Sequence, residues 1–369
     1  MEQVRLSAWQ MFLVTFYFTT GTTWIVLTGP VIGDAGKYAW LVCLGALAYG
    51  ILLALLWLYL SSRYPGKSLV EIAVAALGRW AGGVIALFYV LYFVQIASWV
   101  TRNLGDFLHT SMMPQTPVAF FSIMVLFTCA YAVVKGIASI AMVSELLTPY
   151  LHLAYWVPIL VSLPQWDWQN FHDSHAVPFA AAIVRTNYAF AFPFMETVAL
   201  MMLFPYVQKR LSSSYILGIT ASGVSLALSV LANIGILGVN RGSRLIYPVF
   251  MLFREMQFAS FLEHLETFLA INVLFIVCLK LSILFYCAVL AICQLLRIER
   301  RQVVAFPLIW ILSAYSLLFH NVIENMEWVQ TYLFAYYLLY AVVFPLLLLG
   351  AAWLRKAGSA GAPLVPRIE

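Results

Sequence analysis

Hydrophobic residues in this chain fall in long, nearly unbroken blocks separated by short polar or Gly- and Pro-containing connections. A helix that crosses a bilayer needs about 20 apolar residues. Ten such blocks are predicted, at residues 8–31, 38–60, 81–108, 117–134, 137–163, 180–206, 213–239, 263–294, 303–320 and 328–353. The fourth and fifth are parted by little more than Lys135-Gly136. Two blocks are interrupted near the middle. The first, Trp9 to Pro30, is broken at Gly21-Thr22-Thr23; the sixth, Phe179 to Pro205, is broken at Phe192-Pro193-Phe194, with Glu196 just beyond. In lipid an unpaired backbone amide costs several kcal/mol, so a spanning helix breaks only where protein or a water-filled cavity satisfies it. Two interruptions at corresponding places in the two halves of a chain point to a binding site at mid-membrane.

The ten blocks divide into two fives, about 8–163 and 180–353, and a broken helix opens each. An odd number of crossings per half inverts the second half relative to the first. The predicted fold is therefore all-α and integral to the membrane. It is one polytopic domain over 1–369, with ten transmembrane helices in a five-plus-five inverted repeat and broken helices 1 and 6. Residues 357–369 read as a flexible tail. Ser68-Leu69-Val70-Glu71 is a capping box and Gly78 a helix stop, so Ser68–Leu77 reads as a short cytoplasmic helix. The stretch Asn240–Leu262 is too apolar for a free loop and too interrupted for a crossing. It is expected to form short interfacial helices on the outer face.

Composition agrees with the pattern. The 369 residues are 64% hydrophobic and 9% charged, with a mean hydropathy of +0.93, where a soluble domain carries roughly 25% charged residues. The formal charge of +5 follows from topology and carries no nucleic-acid signal. With ten crossings both termini share a side. That side collects Arg5, Arg63, Lys67, Arg79, Lys135, Lys209, Arg210, Arg297, Arg300, Arg301, Arg355, Lys356 and Arg367, against Lys37, Arg241, Arg244 and Arg254 on the other. The excess of basic residues makes both termini cytoplasmic. Trp9–Pro30 is too long for a signal-peptide core and lacks a cleavage pattern, so it reads as the first crossing. Cys43, Cys129, Cys278, Cys287 and Cys293 lie inside apolar blocks without metal spacing and read as buried, inert thiols.

The breaks carry the candidate chemistry. A half-helix offers unpaired amides at its start and unpaired carbonyls at its end. After the first break, the amides of Thr22, Thr23 and Trp24 and the hydroxyls of Thr22 and Thr23 suit a carboxylate. Before the second, the carbonyls of Phe190, Ala191 and Phe192 suit an ammonium. Phe190, Phe192, Phe194 and Trp24 are predicted to supply an apolar side-chain pocket, with Tyr92 and Gln95 at its edge. Charges within crossings are costly and usually functional. Glu196 is read as an ammonium counter-ion, a proton carrier or the partner of a basic residue. Arg102 and Asp106, four apart, are expected to pair within their helix. Glu145 and Arg185 are placed near the interfaces. His172-Asp173-Ser174-His175 reads as a solvated loop rather than a metal site. No phosphate loop, nucleophile elbow or HExxH occurs, so no enzyme and no cofactor are expected.

Several features in fixed order resemble one family. They are the Gly21 break with Gly29-Pro30, Asp34 and Trp40; Ala191-Phe192-Pro193-Phe194-Met195-Glu196 through Pro205 and Lys209; and Arg244-Leu245-Ile246-Tyr247-Pro248, Arg254, Phe261, Glu263, Glu266 and Lys280-Leu281-Ser282. Together they are similar to the B subunit of spore nutrient-germinant receptors, within the amino acid–polyamine–organocation transporter superfamily. The resemblance implies a nutrient sensor, for an amino acid, in the spore inner membrane, partnered by A and lipoprotein C subunits. It also implies that helices 1 and 8 pack around the cation site of sodium-coupled relatives. There Lys280 either replaces the ion beside carbonyls near Gly21 or pairs with Glu196 or another carboxylate. Amino acid permeases usually have a Gly-rich first break; Gly21-Thr22-Thr23-Trp24 is bulkier and implies a small, apolar amino acid. Secondary transport of that ligand, coupled to protons through Glu196 or by exchange, is the alternative, and a scaffold with a vestigial pocket a third.

Overall fold

Backbone groups in an apolar solvent must pair within the chain, and here they do so almost wholly in helices. The computed structural model describes residues 5–172, 177–255 and 265–360. The first half comprises α1 (Ala8–Thr20), α2 (Thr23–Val26), α3 (Thr28–Ala35), α4 (Ala39–Arg63), α5 (Leu69–Leu77), α6 (Arg79–Ser111), α7 (Val118–Lys135) and α8 (Ile137–Val161). The second comprises α9 (Phe179–Arg185), α10 (Asn187–Ala191), α11 (Leu211–Leu237), α12 (Val239–Gly242), α13 (Pro248–Glu255), α14 (Leu265–Leu296), α15 (Gln302–Ser316), α16 (Val322–Leu338) and α17 (Phe344–Ala360). A 3-10 stretch runs from Met195 to Met202, and a π-helical turn, Leu339–Val343, joins α16 to α17.

Seven helical runs among the described residues are long and apolar enough to cross a membrane. This is fewer than the ten predicted, for local reasons. Segments 1 and 6 are divided into short helices at the predicted breaks. Residues 36–38 continue as a 3-10 turn, so Thr28–Arg63 forms one apolar run. The ninth block stops at Ser316 after 15 residues, where Arg102 Nη1 donates to the carbonyls of Ser316 (3.4 Å) and Phe319 (2.5 Å). Arg102 Nε also donates to both carboxylate oxygens of Asp106 at 2.8 Å, the intrahelical pair expected.

The connections form as their residues predict. Ser68 and Glu71 cap α5 reciprocally, and Ser68 Oγ donates to Gln294 Oε1 at 2.7 Å, fastening α5 to the end of α14. Gly136, at φ 97°, separates α7 from α8 in a conformation that L side chains avoid. The segment expected on the outer face contains α12 and α13; residues 256–264, including Phe261 and Glu263, lie outside the described residues, as do 173–176 with His175. α17 extends to Ala360, four residues into the stretch read as a flexible tail, and 361–369 are outside the described residues.

α14 lies at the centre, against α1, α6, α7, α8 and α15, and α11 packs on both α1 and α4. Segments 1 and 6 are tied to each other at both ends. On the predicted cytoplasmic side Leu6 forms a parallel bridge with Val207: Leu6 N donates to Tyr206 O (2.7 Å) and Gln208 N to Leu6 O (3.2 Å). On the other side Tyr188 Oη donates to Asp34 Oδ2 at 2.8 Å.

Close approach of α5 to α6 depends on Gly82: a Cβ there would meet the carbonyl oxygen of Ala73 and lie 2.6 Å from Val74 Cα. Backbone cannot yield cheaply, so Gly82→Val is expected to cost about 1–3 kcal/mol of overpacking, read as a lowered Tm of the purified protein in detergent.

Candidate functional site

At the first break α1 ends with the Gly21 amide donating to Tyr17 O at 2.9 Å, and helix resumes at Thr23. The opening amides of a helix have no partner inside it. Those of Thr22, Thr23 and Trp24 meet no acceptor among the described residues. The Thr22 hydroxyl and the Trp24 indole N–H are also buried without a protein partner. Thr23 differs. Its hydroxyl donates to Thr19 O at 2.7 Å, continuing a ladder in which Thr19 donates to Thr15 O and Thr15 to Met11 O. It thus satisfies a carbonyl at the end of α1, and that proton is not free for a ligand.

At the second break Phe192 N donates to Tyr188 O at 2.9 Å, the Phe192–Pro193 peptide is cis, and the chain re-enters helix at Met195. The carbonyls of Phe190, Ala191 and Phe192 receive no hydrogen bond among the described residues. The unpaired amides lie at the first break and the unpaired carbonyls at the second.

Lys280 of α14 connects them. It is fully buried, and Glu196 is 2% exposed. Lys280 Nζ donates to Glu196 Oε2 at 2.5 Å, and Tyr337 Oη donates to Glu196 Oε1 at 2.8 Å. The ammonium also lies 4.8 Å from the centre of the Phe192 ring and 5.5 Å from that of Phe18, within cation–π range. The lysine stem crosses α1 at Gly21, where an added Cβ would come 3.0 Å from Lys280 Cβ and Cγ and closer still to Cδ. Gly21 thus has two tasks: it ends α1 and admits the stem. Of the two placements read for Lys280, the pair with Glu196 is formed. Both Glu196 oxygens are engaged by donors, so in this state Glu196 is the partner of a basic residue and is closed to a ligand's ammonium.

The other predicted residues are dispersed around this centre. Tyr92 is buried beside Tyr337 (5.4 Å) and stacked on Tyr340 (4.2 Å), its hydroxyl without a protein partner. Gln95 Oε1 accepts from Tyr336 Oη one turn farther along. The four rings expected to share an apolar pocket engage different neighbours. Trp24 stacks on Tyr155 at 3.6 Å, Phe190 meets Tyr49 edge-on at 5.9 Å, and Phe192 faces Lys280. Phe194 fills a notch over Gly50, whose Cβ would lie 2.7–2.8 Å from its side chain; the absent side chain in α4 is what captures that ring. His172 Nδ1 contacts Trp168 O at 3.0 Å within its own loop. Tyr337 and Phe18 were not legible as site residues. Aromatic residues are abundant in this chain, and nothing local marks those that face a charge.

A family model described as "Spore germination protein" matches residues 5–323. Spore germination protein KB of Bacillus subtilis (strain 168) is 26% identical over 370 residues, covering 96% of this chain and 97% of its own. Spore germination protein YndE of the same organism is 22% identical, covering 69% and 71%. Among solved structures, the crystal structure of MhsT in complex with L-phenylalanine superposes with a TM-score of 0.64 at 16% identity, over 90% of this chain and 87% of that one. Mhp1, a nucleobase-cation-symport-1 family transporter in a closed conformation with bromovinylhydantoin bound, gives 0.59 at 12% identity, over 91% and 76%. The described architecture thus shares its fold with these two solved structures.

Removing one member of a buried pair strands the other charge, at about 3–5 kcal/mol. Lys280→Met is therefore expected to lower Tm sharply, and the double variant with Glu196→Gln to recover part of the loss. Thermal unfolding of the single and double variants measures the coupling, and additive losses would refute it.

Proposed function

This chain belongs to the spore germination protein family, and from that premise we propose that it is the nutrient-sensing subunit of a spore germinant receptor. Its ligand is a small amino acid held at the two breaks. The observation that carries this reading is the pair of unpaired backbone sets. Amides at Thr22–Trp24 suit a carboxylate, and carbonyls at Phe190–Phe192 suit an ammonium. A free amino acid supplies both. The likeness to MhsT and Mhp1 bears on the fold; the amino acid rests on the polarity of the breaks. The ammonium goes to the carbonyls, because Glu196 is already satisfied by Lys280 and Tyr337.

On this reading segments 1, 6 and 9 complete ten crossings, with both termini in the cytoplasm and the protein in the spore inner membrane. A and C subunits read its conformation. Sensing requires that the ligand bind two states unequally, and the ties between segments 1 and 6 are the contacts that must differ between them. Lys280, though paired with Glu196, keeps a positive charge fixed beside the first break, and on this reading that charge stands in for a coupling sodium ion. Transport of the same ligand, proton-coupled or by exchange, is the second reading, favoured by the fold shared with Mhp1.

The expected outcome is that L-alanine or another small apolar amino acid raises the Tm of the purified protein, equally in sodium and choline chloride. Thr22→Leu should weaken that response about tenfold, since one hydrogen bond to a charged group is at stake. Strict sodium dependence would defeat the fixed-cation reading. In proteoliposomes the sensor binds without uptake; accumulation of labelled amino acid would favour the transporter instead.

A further inference from the structure

α11 presents one narrow stripe to segment 1. Gly218 lies against Thr15 and the Phe12 carbonyl, and Ser222 Oγ accepts from Thr20 Oγ1 at 3.2 Å. Farther along, Ser229 Oγ meets the hydroxyl of Tyr155 at 2.5 Å, and Tyr155 is the ring on which Trp24 stacks. The spacing 218, 222, 225, 229 keeps these positions on one side of the helix. The two chains run in parallel register, from Thr15 beside Gly218 to Thr20 beside Ser222. Ser225 therefore stands level with the break, between a serine used by Thr20 and a serine used by Tyr155.

Ser225 is 6% exposed, and its hydroxyl has no protein partner. Its own helix offers the usual way out. Thr220 donates to Ile216 O at 2.8 Å and Ser214 to Arg210 O at 2.8 Å, each four residues back. Burying an unpaired hydroxyl is unfavourable, so an unused one at this level needs an occupant. The other unpaired side-chain groups at the break are the Thr22 hydroxyl and the Trp24 indole N–H. Amides and indoles only donate. A hydroxyl sharing an occupant with them must be turned as a donor too, and such a set suits an oxyanion.

Resting on the amino acid reading above, we propose that Ser225 is a ligand-binding residue. Its hydroxyl, delivered from α11, donates to the same carboxylate as the Thr22–Trp24 amides. A ligand with a neutral amide in place of the carboxylate keeps a carbonyl acceptor but loses the charge, so that bond is weaker.

The test uses purified full-length protein and thermal-shift titration with L-alanine, L-valine and L-alaninamide. Ser225→Ala should bind the amino acids about tenfold more weakly, lose less affinity for L-alaninamide, and unfold without ligand at the wild-type temperature or above. Ser225→Thr should restore amino acid binding. Unchanged affinity in Ser225→Ala overturns the assignment. So does a lowered ligand-free Tm accompanied by equal losses for acid and amide, which would mark a packing role. If no amino acid stabilises wild type, the amino acid reading fails first; if one does, and Ser225→Ala responds equally, only Ser225 is excluded.

Discussion

A carboxylate and an ammonium, both withdrawn from water, hold the centre of this protein together. Burying either charge alone is prohibitive, and their mutual attraction offsets that cost only with good geometry and further hydrogen bonds. Here Tyr337 takes the second oxygen of Glu196 and two aromatic faces flank Lys280. The partners come from α14, from the 3-10 stretch after the second break and from α16, while the lysine stem lies across the first break. Four elements distant in sequence are thus referred to one point, and neither break can shift far without disturbing the pair.

That constraint gives the breaks their meaning. An interrupted helix in an apolar medium is a liability unless its freed groups have partners. The pair anchors the interruptions yet satisfies none of the unpaired amides and carbonyls beside it. The hydroxyl ladder of Thr15, Thr19 and Thr23 tidies the end of α1 and stops there. Donors remain at one break and acceptors at the other, on a scaffold that offers them no partner of its own.

Much of this was legible in the sequence. Gly21 and Pro193 announce the interruptions because each interferes with regular helix, and the Ser68–Glu71 capping box and Gly136 mark real boundaries. The pairing of Arg102 with Asp106 follows from a spacing of four. What escaped depends on which faces meet. Phe194 was read as a pocket wall, but the missing side chain of Gly50, well over a hundred residues earlier, draws it into α4. Tyr337 is one of 20 tyrosines, and only the approach of α16 to the sixth segment singles it out. Length and hydropathy alone single out seven of the ten predicted blocks, because segments 1 and 6 are divided and α15 spans 15 residues.

The bridge between Leu6 and Val207 is made by main-chain atoms alone. Such a contact is indifferent to the identity of its side chains and strict about their number. Exposed positions beside it, such as Arg5 and Gln208, should therefore tolerate substitution, whereas Leu6 is fully buried and Ser7 caps α1. Inserting a residue between Leu6 and the Ser7 cap of α1 would slip the register and turn the pairing edge away. Sequence drift at this end of the molecule is thus freer in composition, at the exposed positions, than in length.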